Sequence, residues 1–141
     1  MLFILLFTGC HLYGQTNFSN LKIVECKGKY GLTDSLGKIF LPAKYYSISE
    51  LQHGLVSVKM YGKYALANYE LGKEFTPAIY DNIIDISSGL LLVEVNNSEG
   101  IVDHTGKEII PIKYDKVKST FEDIIIVQKN ERKGIFNAQE K

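Results

Sequence analysis

The sequence predicts an all-β fold built from tandem repeats, and three observations predict it. All three prolines occupy one recurring slot, Pro42, Pro77 and Pro111, spaced 35 and 34 residues apart, with Tyr45, Tyr80 and Tyr114 three residues after them. Beyond residue 14, every glycine falls into one of four recurring slots: Gly28/Gly62, Gly31/Gly100/Gly134, Gly37/Gly72/Gly106 and Gly54/Gly89. Ile and Val total 24 against five Ala, a bias towards strands. A fixed period of this length marks a stacked repeat whose units bury their faces on their neighbours.

Taken in order, residues 1–14 read as an address. Leu2 to Phe7 is an unbroken apolar run followed by Thr8-Gly9-Cys10. A bilayer span needs about 20 residues, so the run is too short to cross one and suits the apolar region of a secretory signal. Two processing routes fit: cleavage after Gly14, and a lipobox at Phe7-Thr8-Gly9-Cys10 that would make Cys10 the lipid-bearing residue; the alternative is the uncleaved apolar start of a cytosolic protein. Residues 15–20 read as a short linker, and 21–141 as the repeat domain. In that domain Cys26 has no partner for an intrachain disulfide and reads as a small core residue.

Each repeat reads as three strands. The first is apolar: Lys22 to Cys26, Leu55 to Met60, Leu90 to Val95 and Ile124 to Gln128, with Val24, Val58, Val93 and Val127 at its centre. Lys27-Gly28, Tyr61-Gly62 and Asn96-Asn97 then suit a tight hairpin requiring positive φ. The second strand starts at Lys29, Tyr64, Glu99 and Lys133, and ends in Asp34, Asn68, Asp103 and Asn137. Asp34-Ser35-Leu36-Gly37 and Asp103-His104-Thr105-Gly106 spell a type I turn closed by a left-handed Gly. The third strand is Lys38 to Leu41, Glu74 to Thr76 and Lys107 to Ile110, ended by proline, which cannot donate to a ladder. A link containing the Tyr slot follows, with at most one helical turn near Tyr46 to Leu51. Three complete units and terminal half-units make eleven strands. Three strands in 35 residues fall short of a four-stranded propeller blade at about 40–45 residues. The expected arrangement is therefore an open, curved stack of antiparallel meanders, with a closed propeller-like ring as the alternative.

Composition bounds the function classes. Sixteen Lys+Arg balance sixteen Asp+Glu, which fits neither a basic nucleic-acid binder nor an acidic disordered chain. Two cysteines do not make a disulfide scaffold.

Lys27-Gly28-Lys29-Tyr30-Gly31-Leu32, then Gly37-Lys38-Ile39-Phe40-Leu41-Pro42, Lys44-Tyr45 and Gly54-Leu55-Val56-Ser57-Val58, resemble the bacterial WG repeat. Ile79-Tyr80-Asp81 and Lys113-Tyr114-Asp115 match the Tyr-Asp part of its pattern. The resemblance covers about residues 21 to 137. Tyr30 and Tyr64 stand in the signature Trp slot, Glu99 and Lys133 depart from it, and Ala65 replaces one Gly. The resemblance implies a binding or scaffolding module of the bacterial envelope or of secreted proteins, and it transfers no catalytic residue.

The residues themselves carry little chemistry. There is no Gly-x-Ser-x-Gly, P-loop or dinucleotide fingerprint. His11, His53 and His104 lack recurring partners at ligand spacing, and one Asp or Asn per turn is too few for a calcium site, so no metal or cofactor is expected. Glu122-Asp123 reads as a divergent loop. Asn17-Phe18-Ser19 matches a glycosylation sequon. Tyr45, Tyr80 and Tyr114 recur in register, with Asp81 and Asp115 beside two of them. They read either as rings packed over repeat junctions or as a row of exposed rings for a glycan or extended peptide. The expectation is an exported, non-enzymatic module in the periplasm, on the outer membrane as a lipoprotein, or secreted, binding protein or glycan. The alternatives are an enzyme acting on envelope polymer and a purely structural spacer.

Overall fold

A computed structural model describes residues 9–13, 20–87, 89–119 and 124–137. The apolar run at 2–7, the proposed cleavage point after Gly14, the sequon and Glu122-Asp123 lie outside the described residues. Those described form fifteen strands and no helix.

The strands fall into four antiparallel sheets, each in simple sequence order. The first holds β1 (Cys10–Tyr13), β2 (Leu21–Cys26), β3 (Lys29–Asp34) and β4 (Ile39–Tyr45). The second holds β5 (Ser47–Glu50), β6 (Leu55–Met60), β7 (Lys63–Asn68) and β8 (Lys73–Glu74). The third holds β9 (Asn82–Ser87), β10 (Leu90–Val95), β11 (Ser98–Asp103) and β12 (Glu108–Tyr114). The fourth holds β13 (Lys116–Ser119), β14 (Ile124–Lys129) and β15 (Arg132–Asn137). No sheet closes on itself.

The fold class is the one expected, but the unit has four strands where three were read. The segments taken as links are strands β5, β9 and β13, and the suggested helical turn near Tyr46 to Leu51 is β5. Each pairs antiparallel with the apolar strand after it, as in Ile48 opposite Val58, Ile83 opposite Val93 and Val117 opposite Val127. β5 and β13 are four residues long and mostly polar, so the ladder more than side-chain propensity holds them extended, whereas β9 carries the strand formers Ile83, Ile84 and Ile86. Four short strands fit in 35 residues because the hairpins are minimal. Lys27, Tyr61, Asn96, Asn97, Asn130 and Glu131 all have φ between 46° and 64°, beside Gly28 and Gly62 at 74° and 84°. These are the two-residue turns whose twist matches that of the flanking strands.

In the first and third units proline does not end the third strand of the read pattern, whereas in the second the strand stops before Pro77. β4 and β12 run through Pro42 and Pro111 at a bulge. Tyr30 faces Tyr45 and Leu32 faces Leu41, so Pro42, Ala43 and Lys44 together oppose Gly31. Glu99 faces Tyr114 and Ile101 faces Ile110 in the same way around Gly100. The bulge accommodates the missing proline donor and presses backbone onto the glycine. A Cβ on Gly31 would lie 2.5 Å from the Leu41 carbonyl oxygen, and one on Gly100 would lie 2.7 Å from that of Ile110. The second sheet has Ala65 in this slot. There β8 stops at Glu74, the contact resumes at an isolated bridge between Tyr64 and Tyr80, and Thr76 Oγ1 accepts the Leu66 N–H at 2.8 Å. The alanine methyl occupies the space a continuous bulged strand would need.

The chain divides into two compact units, one of residues 1–61 and 65–78, the other of 62–64 and 79–141. Leu21, Leu32, Leu41, Tyr45, Val56, Val58, Ala65 and Ala67 form the core of the first. Ile101, Ile110, Val117, Ile125 and Val127 form that of the second, with Tyr114 packed against it.

Candidate functional site

The Tyr slot is mostly interior. Tyr45 is 0% exposed, Tyr80 is 4% exposed and Tyr114 is half-buried, meeting Phe136 edge-on at 6.3 Å between centroids. The reading of these tyrosines as an outward row of binding rings is corrected for Tyr45 and Tyr80. An aromatic opposite the start of the inner strand fills the volume beside the bulge, and a ring supplies more apolar area there than it would gain at a wet surface. Burial, with Glu74 beside it, pushes the Tyr45 phenol far above its ordinary range. Burial also raises Tyr80, with the Glu108 charge adding to the effect. Burial pushes the Glu74 carboxyl up, but Lys44 at 2.8 Å and the Tyr45 hydroxyl outweigh it, so its pKa falls below the usual carboxylate value.

Asp81 and Asp115 are exposed and do structural work of one kind. Asp81 Oδ2 accepts the Asn96 N–H at 2.7 Å, and Asp115 Oδ2 accepts the Asn130 N–H at 2.7 Å. Each bond ties the Tyr-Asp step to the tight hairpin fifteen residues on. Each aspartate also binds a lysine, Lys63 for Asp81 and Lys129 for Asp115, the latter at 3.2 Å. Lys63 and then the Asn96 amide hold Asp81 below the usual carboxylate range; for Asp115 the Asn130 amide leads and Lys129 follows. Where the slot holds Tyr46, no carboxylate is present and the Lys29 ammonium lies over the ring. Nearby Tyr61, at a turn position with φ 50°, is 88% exposed.

The other recurring acids are also engaged with backbone. Asp34 Oδ1 accepts the Leu36 and Lys38 amides, and Asp103 Oδ1 those of Thr105 and Lys107, closing the glycine turns as expected. Glu99 Oε2 accepts the Val117 N–H at 2.5 Å. No cluster of three or more metal-ligating side chains occurs among the described residues.

Cys10 and Cys26 face each other across β1 and β2 with Cα atoms 4.1 Å apart and form a disulfide. The reading of Cys26 as partnerless is corrected. The partner strand β1 lies within residues 1–14, the segment whose sequence reads as an address.

A groove of about 650 Å³ runs along β15, lined by Tyr114, Lys129, Arg132, Lys133, Gly134 and Phe136 among others. Sequence reading noted a terminal half-unit there but not this groove, whose basic rim is visible in Lys129, Arg132 and Lys133.

A model of the WG containing repeat matches residues 30–64, 70–98 and 100–132, more than half of the chain. The chain belongs to the WG containing repeat family. No curated protein matches it. Among solved structures, it is similar to a chain described as Kluyveromyces lactis Hsv2 complete loop 6CD, at 8% identity and a TM-score of 0.44. The match covers 86% of this chain and 47% of that one, so the chain spans about half the length of that structure.

Proposed function

We propose that the chain is an exported, non-enzymatic repeat module of the bacterial envelope that binds or scaffolds a protein or glycan partner. The observation that carries the binding reading is the fate of the recurring acids. Asp34, Asp81, Asp103, Asp115 and Glu99 all accept backbone amides, which leaves them as braces. A general acid or base needs a carboxylate aimed at substrate, and these are aimed at backbone N–H groups, four of them at turns and Glu99 at β13. The Cys10–Cys26 disulfide supports export of a chain that retains Cys10, neither cut after Gly14 nor lipidated, because such bonds persist in oxidising compartments and are rare in the cytosol.

The test is fractionation of the expressing cell followed by affinity capture from envelope extract. Enrichment in the envelope or medium with a reproducible partner or glycan supports the reading. A chain found in the envelope that captures nothing specific favours a structural spacer, and turnover of envelope polymer by the purified protein favours an enzyme. The mass of the mature N-terminus distinguishes a chain retaining Cys10, lipid at Cys10, and a start at Gln15.

A further inference from the structure

The geometry points to a binding site for a carboxylated saccharide, formed by Tyr46, Tyr61 and Lys29. This deepens the binding reading and rests on it. The other repeats show what is unusual there. At the entries to the third and fourth sheets an aspartate follows the Tyr slot. The Asp81 N–H donates to the Glu94 carbonyl and the Asp115 N–H to that of Gln128, both at 2.8 Å. Their carboxylates then accept the N–H of the first turn residue, Asn96 or Asn130, at 2.7 Å. Tyr46 starts from the same place, its N–H donating at 2.9 Å to the carbonyl of Lys59, two residues before Tyr61. It brings a ring where the others bring a carboxylate. In the first sheet the equivalent turn amide, the Lys27 N–H, donates to the Gly9 carbonyl at 3.5 Å. Of these four turn amides, that of Tyr61 alone has no acceptor among the described residues.

Lys29 supplies the cation. It occupies the repeat position of Lys63, which pairs with Asp81. The Lys29 ammonium lies over the Tyr46 ring, and among the described residues no carboxylate pairs with it. The site thus keeps the cation and the amide of the brace without its anion. A ligand carboxylate supplies that anion, accepting from the Lys29 ammonium and from the Tyr61 N–H in charge-assisted bonds.

The two rings decide what carries the carboxylate. Tyr46 is 55% exposed and Tyr61 88% exposed. Tyr61 also holds φ 50°, where a bulky side chain is disfavoured and where Asn96 and Asn130 stand in two other hairpins. Neither burial nor turn geometry accounts for an aromatic residue at that tip. An exposed ring offers an electron-rich face to the C–H face of a pyranose, and its hydroxyl suits the sugar's own. Neither tyrosine lies within a strand, so the site offers no backbone ladder to an extended peptide. A hexuronic acid matches rings, cation and amide together.

The probes are linear tetramers of galacturonate and of mannuronate, with the fully methyl-esterified galacturonate tetramer as the uncharged control and tetraglutamate as the peptide control. Binding to the 141-residue protein is read by titration calorimetry. At least one acidic tetramer is expected to bind saturably, about tenfold or more tighter than the methyl ester, with the advantage shrinking as salt rises. Tyr46→Asp restores the brace of the other sheets, and is expected to melt at or above the parent while weakening the tetramer by about tenfold or more. Tyr61→Asn keeps a residue that fits this turn, and is expected to weaken the tetramer without lowering the melting temperature. Failure of both acidic tetramers to bind overturns the site, and a chain that still captures an envelope partner then keeps the broader binding reading. Binding undiminished by Tyr46→Asp and Tyr61→Asn places the saccharide elsewhere and overturns the site. Tetraglutamate binding as tightly as the saccharides assigns the site to an acidic peptide and overturns the proposal. Self-association of the chain that Tyr61→Asn abolishes assigns the rings to a second copy and overturns it as well.

Discussion

Replacing Gly100 with alanine tests whether the bulge-over-glycine contact sets the architecture of the repeat. The new Cβ would lie 2.7 Å from the Ile110 carbonyl oxygen and 2.8 Å from Ile112 Cα and Cγ1. Two of those three atoms are backbone within the β12 bulge, so relief requires moving the strand. Overpacking of this kind costs about 1–3 kcal/mol. Alanine in a strand recovers about 0.5–1 kcal/mol relative to glycine through the unfolded chain, leaving a net loss of about 1 kcal/mol at the middle of both ranges and up to about 2.5 kcal/mol. Gly134→Ala is the internal control. Its Cβ meets a single valine methyl at 3.3 Å and no backbone, so the change should stay within about 1 kcal/mol of neutral. Thermal and urea unfolding of the three proteins gives the comparison, at about 4 °C per kcal/mol for a chain of this size. Gly100→Ala melting at or above the parent, or Gly134→Ala losing as much as Gly100→Ala, would refute the reasoning.

Other expectations follow from the turns, the acids and the disulfide. Glu131 holds φ 64° in a tight hairpin, where a side chain costs about 1 kcal/mol, so Glu131→Gly should raise the melting temperature. Asp81 and Asp115 are held below their unfolded pKa, so the unfolded chain binds protons first and the stabilisation is present above the ordinary aspartate range. Stability should therefore fall as pH drops below about 4, and Asp81→Asn with Asp115→Asn should flatten that slope in a pH series of unfolding curves. Reducing Cys10–Cys26, which are separated by 16 residues, removes a cross-link worth about 3 kcal/mol in the chain-entropy account. Amide exchange should then accelerate first in β1 and β2.

Much of the fold was legible because the repeat is punctuated by residues with strict backbone demands. The positive-φ pairs at 27–28, 61–62 and 96–97 and the Asp-to-Gly turns could be placed from residue type alone, and the inner strands follow from their apolar runs. The fourth pair, Asn130-Glu131, puts a glutamate where the others have Gly or Asn, and so gives a weaker signal. Of the outer strands, β5 and β13 were illegible because Ser47–Glu50 and Lys116–Ser119 are short, mostly polar and gain their conformation from the neighbouring strand, while the Ile83, Ile84 and Ile86 of β9 did offer a strand signal. Proline misled for a related reason. Its missing donor suggested termination, whereas a bulge opposite Gly31 or Gly100 lets the strand continue. At the candidate site, recurrence marked the Tyr-Asp slot correctly but could not separate packing from binding, since both need the same spacing. Burial separates them: Tyr45 and Tyr80 are interior, and the aspartates hold hairpin amides.

The account rests most heavily on a chain working outside the cytosol, and the state of its two cysteines in the living cell tests that directly. Trapping thiols with an alkylating reagent at lysis, then measuring the mass of the protein from each cell fraction, reads compartment and bond together. The account predicts the protein in the envelope or medium, with Cys10 and Cys26 joined and unreactive until reduced. Recovery in the cytosolic fraction with both thiols alkylated would contradict it.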